Sequence, residues 1–339
     1  MKKEIRIYKK YDFKKPNYVE IDVSHWSTEL NRKIANNEFD TESVPCLCGS
    51  LGFDRLFTFD RYEINQDTVV CRRCGLIQSN PRMTESSCKV FYEKDFYRNL
   101  YTPNVDLEGY TKSKFSIDAG KEIFDTINRS FPISKSTKVL EIGAGGGWNL
   151  GVFNEHCEQV TGIEYSHKLV ELGKTYGINM IQGGVEEVQG KYDIIILNHV
   201  LEHMLSPIKE LRIIKKHLTA KGILYISVPN ILNFAFVQIQ SAHVNYFNPI
   251  NFKYYLEQAA LKTIDFGESE SVHMYGVFSK NVENDKSKKE IILKNSRRAS
   301  YRAIRIYRRN KKIEDLLLII VGNNNVEKIK KIVRKIFKD

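Results

Sequence analysis

From Lys138 onward the chain alternates between short apolar runs and longer stretches with helical spacing of their apolar positions. The runs KVLEIG (138–143), QVTGIEY (159–165), NMIQGG (179–184), YDIIILNHV (192–200) and GILYISVPN (222–230) read as strands. They are apolar with little alternation, as strands buried on both faces must be. Between them, SHKLVELGKTYG (166–177) and PIKELRIIKKHL (207–218) place apolar residues every three or four positions. Such spacing predicts amphipathic helices, and Ser166 supplies an N-cap for the first of these two. The residues after Gly147 also read as a helix, as does PINFKYYLEQAAL (249–261); KTIDFGES (262–269) and HMYGVFSK (273–280) read as a closing pair of strands. The expected fold is α/β: a doubly wound, Rossmann-like, mostly parallel seven-stranded sheet with helices on both faces.

The flanks differ from this core. Residues 1–44 are polar and aperiodic and read as an irregular lead. Residues 45–83 hold four of the six cysteines, FYEKDFYRNLY (91–101) is dense in aromatics, and Gly109–Ser130 is expected to be helical through Phe115, Ile117, Ile123, Phe124 and Ile127. The organisation is therefore 1–104 (lead, cysteine module and aromatic segment), 105–280 (the α/β domain) and 281–339 (a basic helical tail). With 42% hydrophobic and 27% charged residues the composition is that of a soluble globular protein. No run suits a signal peptide or a membrane span, so a cytoplasmic location is expected. The net charge of +11 is concentrated: residues 281–339 carry 18 Lys/Arg against 7 Asp/Glu, and residues 1–280 carry 34 of each sign. Any electrostatic partner should therefore be sought at the tail.

The first strand ends in EIGAGGGW (141–148). A strand that reopens as a helix through glycines exposes backbone N–H groups to a polar or anionic ligand. The dinucleotide fingerprint G-x-G-x-x-G needs a third glycine where this chain has Trp148. The pattern present is instead E-x-G-x-G-x-G: Glu141, Gly143, Gly145, Gly147. Glu164, 21 residues after Gly143 at the end of the second strand, is placed to accept both hydroxyls of a ribose.

These motifs, with HVLEH (199–203) after the fourth strand, resemble the class I S-adenosylmethionine-dependent methyltransferases over about residues 45–280. The resemblance implies that Gly143, Gly145 and Gly147 let the backbone approach the methionine part of the cofactor. It further implies that Glu141 positions the amino group, that Glu164 holds the ribose, and that Asn198 ends the fourth strand beside the sulfonium. Asn198 is not followed by the two prolines and aromatic of enzymes that methylate exocyclic base nitrogens. A hydroxyl acceptor needs a group to take its proton. His203 and His243 are the candidates, and His199 reads as structural. His243, Tyr246 and Phe247 form H-x-x-Y-F, similar to a segment of deoxysugar C-methyltransferases in which the histidine is linked to proton abstraction; Ala242 stands where those have an acid.

Cys46 and Cys48, then Cys71 and Cys74, form two close pairs separated by 22 residues. Four thiolates on two turns can close a tetrahedral, structural zinc site, and in a reducing compartment zinc is favoured over disulfides. The arrangement, with CGLIQSNPR (74–82) behind it, resembles the zinc-binding module that precedes many sugar-directed methyltransferases. Tyr97 and Tyr101 of the aromatic segment are candidates to face the cationic sulfur, against a plain hinge between module and sheet.

IILKNSRRASYRAIRIYRRNKK (291–312) has nine Lys/Arg and no acid; as a helix it aligns Arg298, Arg302, Arg305 and Arg309, with Ala299, Ala303 and Ile306 off that stripe. It reads as a solvated helix, as an interfacial helix drawn to an anionic membrane surface, or, third in order, as a binder of RNA phosphates. The expected function is transfer of a methyl group from S-adenosylmethionine to a sugar or glycan hydroxyl in surface polysaccharide synthesis, with peripheral attachment at the inner face of the membrane as an option the tail opens. The alternatives are a quinone or small-aromatic O-methyltransferase, a sugar C-methyltransferase, or a non-catalytic zinc and basic-tail adaptor for RNA or membrane.

Overall fold

The computed structural model describes residues 4–11, 13, 25–94, 96–101, 106, 109, 114–232, 239–268, 273–280 and 288–321. The N-terminal part runs β1 (Arg6–Tyr8), α1 (His25–Ala35), β2 (Thr41–Glu42), β3 (Gly52–Phe59), β4 (Asn65–Cys71), β5 (Ile77–Ser79), β6 (Arg82–Met83), α2 (Glu85–Glu93) and α3 (Phe96–Tyr101). The irregular lead expected over residues 1–44 thus contains an 11-residue helix. Its apolar positions Trp26, Leu30 and Ile34 recur every four residues and pack with Phe39, Phe91 and Phe96. Three anchors are too few for a clear period in sequence, but tertiary contact stabilises the helix.

The α/β part follows as α4 (Lys114–Ser130), β7 (Lys138–Ile142), α5 (Gly151–His156), β8 (Gln159–Glu164), α6 (His167–Thr175), β9 (Asn179–Gln182), β10 (Tyr192–Asn198), α7 (Pro207–Lys216), β11 (Leu218–Pro229), β12 (Asn245–Tyr246), α8 (Pro249–Gln258), β13 (Leu261–Glu268), β14 (His273–Lys280) and α9 (Lys289–Val321). Seven strands form one sheet in the order β13-β14-β11-β10-β7-β8-β9. All neighbours from β11 to β9 are parallel, and β14 is antiparallel to both β11 and β13. This is the expected mostly parallel, doubly wound sheet.

Strand β10 explains the architecture. Ile194, Ile195, Ile196 and Leu197 are all fully buried. Ile195 and Leu197 join one core, while Ile194 and Ile196 join the core on the opposite face. The period of two sends alternate side chains to two covered faces, so both must be apolar. The first of these cores does not stop at the sheet: Phe53, Val69, Cys71 and Cys74 of the cysteine module belong to it, through Tyr254, Tyr255 and Leu256 of α8.

A second sheet joins the two parts directly. Its order is β1-β3-β4-β5-β12, so a strand from the α/β part completes the sheet of the cysteine module. Asn245 and Tyr246 pair antiparallel with Gln78 and Ile77.

Helix α9 lies along the module. Leu293, Ser296, Ser300, Ile304 and Tyr307 are its buried line. Ser296 Oγ donates to the Cys74 carbonyl at 2.7 Å, and Asn248 Nδ2 donates to Ser300 Oγ at 3.0 Å. Ile306, which the sequence sets off the arginine stripe, is nonetheless exposed. Arg298, Arg302, Arg305 and Arg309 are exposed as well. Among the described residues no helix is long and apolar enough to cross a membrane.

Candidate active site

The turn after β7 is built by backbone conformation. Gly143, Gly145 and Gly147 have φ of 71°, 57° and 77°, in the left-handed region that favours glycine. Space demands glycine too: a Cβ at Gly143 would lie 2.6 Å from Val200 Cγ2, and one at Gly145 2.2 Å from the Trp148 ring. Trp148, which broke the dinucleotide pattern, therefore packs against the turn itself. Gly143 and Ala144 donate their N–H groups to the Ile163 carbonyl at 2.8 and 3.0 Å, which ties the turn to the end of β8.

Glu164 ends that strand. Its Oε2 accepts from Gly145 N at 3.0 Å and its Oε1 from Ser166 N at 3.0 Å. A carboxylate has about four acceptor positions, so these bonds orient the group and leave room for two further donors. Glu141 is fully buried in β7; Oε1 accepts from Asn149 Nδ2 at 2.7 Å, and Oε2 has no partner among the described residues. Burial, with the Glu164 charge beside it, pushes its pKa up to about 8. Asn198 is half-buried at the end of β10, opposite Ser227 of β11. An orphaned buried carboxylate oxygen, a pinned carboxylate and a turn without room for side chains suit S-adenosylmethionine: an amino group for Glu141, ribose hydroxyls for Glu164.

The histidines gather at the carboxyl end of β10. His199 has a left-handed φ of 56°, uncommon for a residue with a side chain, and starts the turn that carries Glu202 and His203. His203 Nδ1 lies 3.0 Å from the Ala242 carbonyl and 3.1 Å from Tyr92 Oη. A carbonyl only accepts, so Nδ1 carries the proton and Nε2 is bare in the neutral ring. Burial lowers the pKa of His203 and keeps it neutral. The His243 ring stands 4.8 Å away and nearly perpendicular, and Nε2 of His243 lies 2.5 Å from Gln240 Nε2. Glu202 is buried; its Oε1 pairs with His199 Nδ1 at 3.2 Å, and its Oε2 has no partner among the described residues. Glu202, His203 and His243 each bring one polar atom to within 4.8 Å of the others.

Tyrosines wall this cluster. The Tyr97 ring is 5.7 Å from His203, and Tyr101 Oη is 2.6 Å from Ser241 Oγ. Arg98 sits over both Tyr97 and Trp148, at 5.6 and 5.7 Å from the ring centres, and so links the aromatic segment to the glycine turn. The loop bearing His243 is held by the module: Asp60 Oδ2 accepts from Ser241 N at 2.7 Å, and Ser79 Oγ donates to the His243 carbonyl at 2.9 Å.

Cys46, Cys48, Cys71 and Cys74 come together as a group with their sulfurs within 4.8 Å of one another. Cys46 and Cys74 Sγ are 3.4 Å apart, and Cys48 and Cys71 Sγ 3.6 Å. Tetrahedral zinc with Zn–S bonds of about 2.3 Å sets sulfurs roughly 3.8 Å apart, so the cluster fits the metal. Donors also meet the sulfurs: Leu76 N at 3.4 Å and Tyr255 Oη at 3.2 Å, both on Cys74. A zinc held by all four thiolates would have no open position for chemistry and would be structural in kind.

The structure thus brings together two groups that the sequence proposes separately: Glu141, the glycines, Glu164 and Asn198 at one strand edge, and His203 with His243 next to it. Sequence reading missed Asn149, Glu202, Gln240, Asp60 and Arg61. Of these only Glu202 had a signal, its place in LEH.

Residues 115–265 match a family model described as a methyltransferase domain. Among curated protein sequences none matches this chain. Among solved structures it is similar to the 1,6-didemethyltoxoflavin-N1-methyltransferase of Burkholderia thailandensis, at 16% identity and TM-score 0.47, over 64% of this chain and 96% of that one. It is also similar to an S-adenosylmethionine-dependent methyltransferase of Clostridium acetobutylicum, at 10% identity and TM-score 0.41, over 56% and 98%. A third is the CcbJ methyltransferase of Streptomyces caelestis, at 11% identity and TM-score 0.42, over 52% and 96%. The family match over the strands that build the glycine turn, in a sheet of the order just described, identifies a class I S-adenosylmethionine-dependent methyltransferase domain in this chain.

Proposed function

We propose that the protein methylates a hydroxyl of a sugar or glycan intermediate. The observation that carries this reading is His203: a half-buried, neutral imidazole with a bare Nε2 at the carboxyl edge of β10, three residues after Val200, whose side chain closes over Gly143 of the glycine turn. S-adenosylmethionine supplies a methyl on a positive sulfur. The acceptor oxygen bonds to that carbon, the carbon–sulfur pair goes to sulfur, and the hydroxyl proton goes to His203 Nε2. The tyrosine wall of Tyr92, Tyr97 and Tyr101 suits the face of a sugar ring. The zinc-type module favours a sugar over a quinone, because its sheet takes in β12 and with it the loop that carries His243. The outward arginines of α9 belong to the same reading, as attachment to an anionic membrane surface where lipid-linked glycans are made.

The test incubates the full-length protein with isotope-labelled S-adenosylmethionine and separate pools of nucleotide sugars, lipid-linked glycans, quinone precursors and RNA. Label is expected in one of the first two pools. His203→Ala should bind the cofactor as before and transfer about 10²–10⁴-fold more slowly. Label in the quinone or RNA pool would overturn the acceptor class, and an unchanged rate in the variant would remove His203 as the base.

A further inference from the structure

The hydrogen bonds behind His243 run in one direction. Arg61, in the module's turn between β3 and β4, donates from Nη2 to Gln240 Oε1 at 3.2 Å. A guanidinium has only donors, so the amide must turn its oxygen to Arg61. The same amide then presents its Nε2, also a donor, to Nε2 of His243 at 2.5 Å. A ring nitrogen that accepts is bare, which leaves the proton of the neutral ring on Nδ1. His243 is 5% exposed, and its Nδ1 has no partner among the described residues.

Gln240 cannot easily swing away. Arg61 N donates to the Ile239 carbonyl at 3.0 Å, and Ser241 N donates to Asp60 at 2.7 Å, so the backbone on both sides of Gln240 is tied to one turn of the module. Asp60 Oδ1 in turn accepts from Tyr62 N and Ile64 N, at 2.8 and 2.9 Å, which fixes that turn. The charged and titratable groups around the imidazole are Arg61 and Asp60 from the module, His203, Glu202 and His199 from the segment after β10, His273 from β14, Tyr101 from α3 and Tyr246 from β12. Burial first, then the neighbouring His203 and Arg61, hold its pKa well below the usual histidine range, so the ring is neutral.

We propose that Arg61 and Gln240 are positioning residues that lock His243 in its Nδ1–H tautomer, so that His243 donates a hydrogen bond to the acceptor oxygen while His203 takes the proton. The proposal rests on the reading of this site as hydroxyl methylation. It also explains why three convergent side chains are not a cation site: with Nε2 engaged by Gln240, His243 offers a proton where a metal needs a lone pair. A hydroxyl fits, with one proton to give to His203 and lone pairs for His243 and the methyl carbon.

The test is the tautomer itself, read in long-range proton–nitrogen spectra of the full-length, ¹⁵N-labelled protein, with His243 assigned by its loss in His243→Asn. The wild type should show a neutral ring protonated at Nδ1. Gln240→Glu replaces the donor with an acceptor, and the proton should move to Nε2. Arg61→Met frees the amide to turn and should give a mixture. Transfer by Gln240→Glu should fall about 10²-fold at neutral pH, as for loss of one preorganised donor. The carboxylate introduced by Gln240→Glu would also raise the His243 pKa; below it both nitrogens carry protons, so the variant's activity should fall as pH rises through that value. A wild-type ring protonated at Nε2 overturns the proposal, as does a Gln240→Glu protein that folds and keeps the wild-type tautomer. The spectra need neither cofactor nor acceptor, so this result stands apart from success or failure in finding the acceptor.

Discussion

At the scale of single residues, Glu141 carries the clearest consequence. A buried carboxyl with a pKa pushed up to about 8 is protonated in the free protein at neutral pH. An ammonium group brought to its orphaned Oε2 favours the carboxylate, so cofactor binding should release a proton. Affinity for S-adenosylmethionine should therefore rise with pH up to about 8 and then level off. Calorimetry in two buffers of different ionisation enthalpy would detect the released proton, and Glu141→Gln should abolish the release and weaken binding roughly tenfold or more. A wild-type protein that binds without proton release would place the amino group elsewhere. Glu141, Glu164 and the glycines could be grouped as one candidate site from sequence because the acid and the turn lie on one strand–turn–helix unit and Glu164 ends the next strand. Gln240 and Arg61 could not, since they lie 179 residues apart and meet only in the fold. Asn149 was hidden for another reason: nothing in its neighbourhood says that a polar side chain there will reach back 8 residues to a buried acid.

At the scale of elements, the strands of the main sheet were readable because burial on both faces forces continuous apolar runs. The short β5–β12 pairing was not, because two or three residues cannot establish a period. Helix α9 shows the same limit in another form. Its arginine stripe was visible in sequence, but the buried line contains Ser296 and Ser300, which read as polar and pack through hydrogen bonds to Asn248 and the Cys74 carbonyl. Because Leu293, Ile304 and Tyr307 are already buried in the molecule, the helix cannot lay that face into a bilayer. Contact with a membrane would therefore be electrostatic, through the outward arginines, with exposed Ile291 and Ile306 as minor apolar points. At about 1 kcal/mol per basic side chain near an anionic surface, the four arginines should hold the protein to phosphatidylserine vesicles at low salt and release it at high salt. Arg302→Glu with Arg305→Glu should abolish vesicle sedimentation and leave methyl transfer to a soluble acceptor intact. Equal binding to neutral vesicles, or none to anionic ones, would make the stripe a solvated face.

At the scale of the whole molecule, the question is what the cysteine module does for a sheet that has its own core. The candidate cofactor residues Glu141, Gly143, Gly145, Gly147 and Glu164 come from β7, β8 and the turn between β7 and α5, and the two carboxylates accept from Asn149, Ser166 and Gly145. The loop with His243 hangs instead on Asp60, Ser79 and β5. Structural zinc in small modules contributes on the order of 10–16 kcal/mol of apparent binding energy, as much as the whole net stability of a domain, so the module should not survive loss of the metal. Chelation is thus expected to separate the two halves of the site. Stripped protein should bind S-adenosylmethionine within a few-fold of the untreated affinity and lose methyl transfer by orders of magnitude, with reversal on adding zinc back. Metal analysis should find one zinc per chain, and Cys74→Ser should behave as the chelated protein does. If cofactor binding vanished together with transfer, the core shared between Phe53, Cys74, Tyr255 and the sheet would be one cooperative unit, and the module would support the whole fold rather than the acceptor side alone.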